Sequence, residues 1–111
     1  MRNIVLLMTA TLAWAGTASA ADPAAGKTLY ERNCLACHGS TGGGDGPAAR
    51  ALRPPPTSFT DKKTWEGLTD ERLSASIRTG RPGSSMMAFG SLTPEELANL
   101  VAYLRTVAPA E

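Results

Sequence analysis

No stretch of this 111-residue sequence is apolar for long enough to cross a membrane. The most apolar run, Ile4 to Ala15, has 12 residues, whereas a spanning helix needs about 20. Met1 and Arg2 give it a short basic start, and Ala18-Ser19-Ala20 follows with small residues at the positions a signal peptidase reads. Residues 1–20 therefore read as a secretory signal peptide cut after Ala20. The competing reading is a retained N-terminal anchor. Residues 21–111 then make one domain.

That domain is poor in the residues that build a core. Among its 91 residues only 14 are Leu, Ile, Val or Phe, while Gly and Pro number 10 and 8. The β-branched aliphatics are Ile77, Val101 and Val107 alone, too few for a β-sandwich or a parallel sheet. Charge of one sign is lacking as well: ten basic residues face ten acidic ones, which argues against nucleic-acid binding. Two cysteines could form one disulfide at most. So small a core in a domain of this size calls for a staple, such as a disulfide or a metal.

What is present is helix punctuation. Asp22 and Pro23 start a helix over Ala24–Cys34, with Ala25, Leu29 and Tyr30 toward one face. Thr69 caps a second, whose stripe is Leu73 and Ile77, whose first turn holds Asp70 and Glu71, and whose end is Gly80. Thr93 and Glu96 make a capping box with Pro94 at the first position, ahead of Leu97, Leu100, Val101 and Leu104. Between the first two helices lie a glycine loop, Gly39 to Gly46, and an extended Pro54-Pro55-Pro56 segment leading to Phe59. The glycine loop lacks the Gly-Lys-Ser/Thr of a phosphate loop and reads as a tight connection passing close to a cofactor edge. The class is all-α, with three or four helices joined by irregular loops.

The chemistry lies in Cys34-Leu35-Ala36-Cys37-His38. C-x-x-C-H is the pattern of covalent c-type haem attachment. Two thiols three residues apart on a helical turn can each add to one vinyl group of a haem. The next residue, His38, then reaches the iron, and it is the chain's single histidine. A thiol redox pair would bring a thioredoxin-like βαβ pattern, which is missing. A zinc site needs two further ligands, and a structural disulfide is the remaining alternative. For the sixth ligand the soft candidates are Met86 and Met87, the two methionines after residue 20. A methionine pair in a Gly/Pro loop is a poor core position, and Met/His ligation raises the reduction potential. Trp65 could donate its N–H to a haem propionate or be a core aromatic. Arg53, Arg78 and Arg81 could pair with a propionate, although most arginines are solvated surface.

Nearly all of residues 21–111 resembles a small bacterial class I c-type cytochrome. Gly26 and Tyr30 ahead of C-x-x-C-H match that family's first helix, and Leu100 and Tyr103 match its last. The resemblance implies a cytochrome c fold, three to four helices wrapped around one covalently attached haem c, with these four residues locking the terminal helices together. It also implies that a proline segment after the glycine loop sets a backbone carbonyl on the free nitrogen of His38, and Gly46-Pro47 resembles that segment. The family's Met-Pro-x-Phe loop corresponds to Met86-Met87-Ala88-Phe89. This places the ligand at Met86, with Met87 standing where the proline would be and remaining the alternative.

The function expected is one-electron transfer in the periplasm, with no catalytic residues. The partners would be redox proteins: a periplasmic dehydrogenase, a membrane oxidoreductase or a terminal oxidase. An alternative is a haem c subunit of a periplasmic oxidoreductase complex. A five-coordinate gas-binding or peroxidatic haem protein is a weaker one, since no distal histidine is left. The shortage of core residues makes the cofactor a structural necessity, with Leu, Tyr, Phe and Trp side chains packing around it. The haem-free chain is expected to be largely unfolded by circular dichroism; a well-folded apo form would contradict this.

Overall fold

The computed structural model describes residues 10, 11 and 20–110. Apart from Ala10, Thr11 and Ala20, the expected signal peptide lies outside the described residues. Among those residues the chain is helical and contains no strand. Four α-helices follow in order: α1 (Pro23–Asn33), α2 (Leu35–His38), α3 (Asp70–Thr79) and α4 (Pro94–Val107). Two 3₁₀ turns, Ala49–Ala51 and Lys62–Trp65, interrupt the long connection between α2 and α3. None of these helices is long and apolar enough to cross a membrane.

The caps act as the side-chain chemistry dictates. Asp22 accepts from the Ala24 N–H at 2.9 Å and starts α1. Thr69 accepts from the Arg72 N–H at 3.2 Å and starts α3. At α4 both halves of the capping box form: Glu96 N–H to Thr93 Oγ1 at 3.1 Å, and Thr93 N–H to Glu96 Oε1 at 3.0 Å. Each satisfies backbone donors that the helix itself leaves without partners. The four-residue α2 and the Ala49–Ala51 turn have no side-chain cap, whereas Asp61 accepts from the Lys63 N–H at 3.0 Å and starts the Lys62–Trp65 turn; neither 3₁₀ turn was expected from the sequence.

Helices α1 and α4 cross where Gly26 lies against the Asn99 carbonyl, so a Cβ on Gly26 would overlap that oxygen and approach Tyr103 Cβ to 2.9 Å. Asn99 is itself buried, and its Oδ1 accepts the Asp22 N–H at 2.8 Å, tying the start of α1 to the middle of α4. Below the crossing, the Tyr30 and Tyr103 rings meet at 5.2 Å with their planes tilted by 56°. The buried face of α1 thus centres on Gly26 and Tyr30, with Ala25 and Leu29 on its flank.

The buried apolar cluster is Tyr30, Phe59, Leu73, Ile77, Leu97, Leu100, Val101 and Leu104. It is supplied by α1, α3, α4 and one residue of the long connection. Each such side chain contributes roughly 1.5–3 kcal/mol on burial, and ordering the backbone opposes this residue by residue. The cluster is one-sided: Cys34, Met86 and Phe89 pack against it only in part, and they also line a cavity. Gly26→Ala should destabilise the holoprotein by about 1–3 kcal/mol through overpacking of the helix crossing, measured by denaturant titration. An unchanged midpoint would mean the helices can separate at no cost.

Candidate functional site

The Cys34–His38 turn directly continues α1. The Cys34 N–H donates to the Tyr30 carbonyl at 2.8 Å, and the His38 N–H donates to the Cys34 carbonyl at 2.9 Å. The glycine loop then wraps back over this turn. Gly44, Gly46 and Ala48 donate to the carbonyls of His38, Cys37 and Ala36 at 2.7, 3.0 and 2.9 Å. A Cβ on Gly46 would run into the Ala36 and Leu35 carbonyls, so glycine is what allows so close an approach. This corrects one expectation: the glycines do not line the cavity but cap the carbonyl end of α2 from behind. Tyr30 adds a hydrogen bond from its buried hydroxyl to the Gly39 carbonyl. That burial holds the phenol well above its usual range, with Cys34, Tyr103 and Asp45 adding to the effect.

In front of the turn lies a cavity of about 330 Å³, within the range of cofactor pockets, roughly 300–1,000 Å³. Cys34, Cys37 and His38 line it together with Leu52, the three prolines Pro54 to Pro56, and Thr57. Arg81, Met86, Met87 and Phe89 line it from the segment after α3. Among the described residues Arg81 is the one formally charged side chain in the lining, and Arg53 and Arg78 are not part of it.

The segment bearing Met86 is held by specific contacts. Gly80 ends α3 at φ +73°, and a Cβ there would lie 2.9 Å from the Met86 carbonyl and 3.1 Å from the Ala88 nitrogen. The Phe89 N–H donates to the Ile77 carbonyl at 2.9 Å. Ser84 Oγ accepts from the Met86 N–H at 3.2 Å and donates to the Arg81 carbonyl at 2.8 Å. Met86 is half-buried and packs against the core, whereas Met87 is 68% exposed. Of the two, Met86 is the side chain held inward.

His38 Nδ1 lies 2.9 Å from the Thr57 carbonyl oxygen. As the donor, that nitrogen carries the proton, so Nε2 is the one left free to bind a metal. The expected carbonyl partner, in the Gly46-Pro47 segment, is therefore corrected to Thr57. Pro47 is exposed and absent from the cavity lining, because the loop that carries it is taken up with capping α2. The chain has two proline segments after the turn, and it is the second, Pro54-Pro55-Pro56, that delivers the carbonyl. Trp65 is corrected as well: its Nε1–H donates to the Phe59 carbonyl at 2.8 Å, and the ring packs on Phe59 at 5.9 Å, outside the cavity lining. Thr57, Ser84 and Phe59, whose ring lies 5.1 Å from that of His38, escape sequence reading. A backbone acceptor, a turn hydroxyl and a core phenylalanine carry no local signature.

The donor set suits a haem. Two cysteines share one turn, a histidine has one nitrogen committed and one free, and a half-buried thioether stands on the segment that completes a mostly apolar cavity. It does not suit a redox dithiol. Burial, with Cys37 adding to it, pushes the Cys34 thiol up to about 11, whereas reactive C-x-x-C thiols are shifted down.

Comparison with known proteins agrees. The family model "Cytochrome c" matches residues 23–108. Cytochrome c-554(547) of Halothiobacillus neapolitanus is 30% identical over 104 residues, covering 79% of this chain and 99% of that protein. Among solved structures, cytochrome c6 of the diatom Phaeodactylum tricornutum is 28% identical with a TM-score of 0.58, over 78% of this chain and 94% of that one. A chain of the reducing HAO-like protein complex of Kuenenia stuttgartiensis is 33% identical with a TM-score of 0.66; the match spans 76% of this chain but only 41% of that one. On this agreement of fold, motif and relatives, the chain belongs to the cytochrome c family, whose members hold haem c covalently and transfer electrons.

Proposed function

We propose that residues 21–111 form a periplasmic one-electron carrier whose haem is tethered by Cys34 and Cys37 and ligated by His38 and Met86. The observation that carries this reading is the meeting of two chain segments at one cavity: Cys34, Cys37 and His38 on one, Met86 on the other. The bound haem would supply a one-electron iron couple. The chain's own residues determine how that couple behaves. The Thr57 carbonyl accepts a hydrogen bond from the Nδ1–H of His38, orients the ring and raises its donor strength. Ser84 pins the backbone of Met86, whose soft sulfur favours a higher potential. Leu52, Phe89 and the prolines keep water from the cavity walls. Were His38 and Met86 both to hold the iron, no position would be left for a substrate, and the protein would pass electrons rather than transform a ligand. Met87, exposed at the cavity mouth, belongs to a small apolar rim suited to brief encounters with redox partners such as a periplasmic dehydrogenase, a membrane oxidoreductase or a terminal oxidase.

The basic, apolar and small-residue order of residues 1–20 supports export to the periplasm. A second reading is favoured by one specific finding, the likeness to a chain of a Kuenenia enzyme complex. On that reading the same domain serves as the electron-transfer subunit of an oxidoreductase. Co-purification with a larger enzyme from native membranes or periplasm would select it over the free carrier.

Two outcomes test the ligand set. In the oxidised holoprotein, Met86→Ala should abolish the sulfur-to-iron absorption band and open the reduced iron to rapid carbon monoxide binding, while Met87→Ala leaves both unchanged. The reverse pattern would move the ligand to Met87. Under denaturing conditions the holoprotein should show no free thiol, either before or after mild reductant. Two thiols appearing after reduction would mean a disulfide in place of two thioethers.

A further inference from the structure

Three consecutive carbonyls in the segment after the prolines are each occupied by a side chain. The Thr57 oxygen accepts from His38 Nδ1 at 2.9 Å, the Ser58 oxygen from Thr64 Oγ1 at 2.6 Å, and the Phe59 oxygen from Trp65 Nε1 at 2.8 Å. The Phe59 N–H donates to the Gly42 carbonyl at 2.7 Å. The carbonyl that meets His38 is thus the first of a run whose next two are gripped by the Lys62–Trp65 turn. The side chains stack in the same order. The His38 and Phe59 rings are 5.1 Å apart, those of Phe59 and Trp65 are 5.9 Å apart, and the Arg105 guanidinium sits 4.7 Å over the Trp65 ring. Arg105 is itself fixed by hydrogen bonds to Asp70 Oδ1 at 2.7 Å and to the Leu68 carbonyl at 3.0 Å.

We infer that Thr64 and Trp65 are positioning residues for His38: by holding the Ser58 and Phe59 carbonyls they fix the Thr57 carbonyl, and through it the donor strength of the histidine and the reduction potential. This rests on the reading of His38 as an axial ligand. The physical chain is short. A hydrogen bond weakens steeply as it lengthens or bends. A carbonyl that shares the Nδ1 proton makes the imidazole a stronger donor to the metal. A stronger donor stabilises the oxidised state and lowers the potential. Were the Ser58 or Phe59 anchor released, residues 57–59 would gain freedom, the bond at His38 would loosen, and the potential would rise. The Trp65 N–H is the far end of this strut and is not available to a haem propionate. Arg105 presses on it from α4, so the strut is braced against the helix that also clasps α1.

The test uses the holoprotein and four variants: Thr64→Val, Thr64→Ser, Trp65→Phe and Arg105→Met. Each is read by redox titration and by the exchange rate of the His38 Nδ1 proton in nuclear magnetic resonance. Thr64→Val and Trp65→Phe remove one hydrogen bond each. They should raise the potential and speed proton exchange about fivefold, the change expected for one hydrogen bond of ordinary net strength. Thr64→Ser keeps the hydroxyl and should match wild type in both readouts. Potentials and exchange rates equal to wild type in both Thr64→Val and Trp65→Phe would overturn the inference. Should Thr64→Val fail to accumulate, Arg105→Met replaces it; the expected change has the same sign and is smaller, and no change in Arg105→Met and Trp65→Phe together is again fatal. Failure of the ligation reading looks different, since the wild-type protein would then lack the low-spin six-coordinate spectrum. Failure of the present inference leaves that spectrum intact, with the variants indistinguishable from wild type.

Discussion

The hydrogen bond from His38 Nδ1 to the Thr57 carbonyl decides which nitrogen of the chain's single histidine is left for a metal, and much of the structure serves to hold its two ends. One end is fixed by continuity: α1 runs through Cys34 into the turn that bears His38, and the glycine loop caps that turn from behind. The other end has no helix to hold it. It is an extended stretch after three prolines, and its place comes from side chains that reach back to it from the Lys62–Trp65 turn. A rigid donor thus meets an acceptor positioned by its neighbours.

The second constraint is the small number of large apolar residues. Eight buried apolar side chains make a cluster between α1, α3 and α4, about what one layer of helix packing requires. Among the described residues nothing comparable is left for the other side of Cys34, Met86 and Phe89, and there the structure has a cavity instead. Membership of the cytochrome c family accounts for this: the haem is an apolar body that the sequence need not encode. Stability and cofactor retention are therefore linked, because anything that binds the folded state alone stabilises it.

Much of this was legible in the sequence, and the parts that were not share a cause. Helices α1, α3 and α4 announce themselves through side-chain caps: Asp22 with Pro23, Thr69 with Gly80, and Thr93 with Glu96. The Cys34-Cys37-His38 group is local, so spacing alone brings it together. The contrast between Met86 and Met87 follows from burial, and the Phe89 register points the same way. What stayed hidden was decided by backbone atoms. An acceptor carbonyl can belong to any residue, so the resemblance pointed to the Gly46-Pro47 segment while the path of the chain brings Thr57 to His38 instead. Trp65 advertises a donor but not its acceptor, and the Phe59 carbonyl is no more visible than that of Thr57. The 3₁₀ turns are short, and only the Asp61 cap at Lys63 marks one of them.

The clasp at Gly26 has a consequence for the order of events. Asp22 and Asn99, joined by the hydrogen bond that ties α1 to α4, are 77 residues apart, and α4 follows every other described element. Closing so wide a loop costs conformational entropy before any contact repays it. The clasp therefore cannot shut until α4 has been synthesised. Until then the turn with Cys34 and Cys37 has no completed fold around it. The topology leaves both thiols open while α4 is undocked, and in a chain that needs the cofactor for its core the docking of the last helix follows haem attachment.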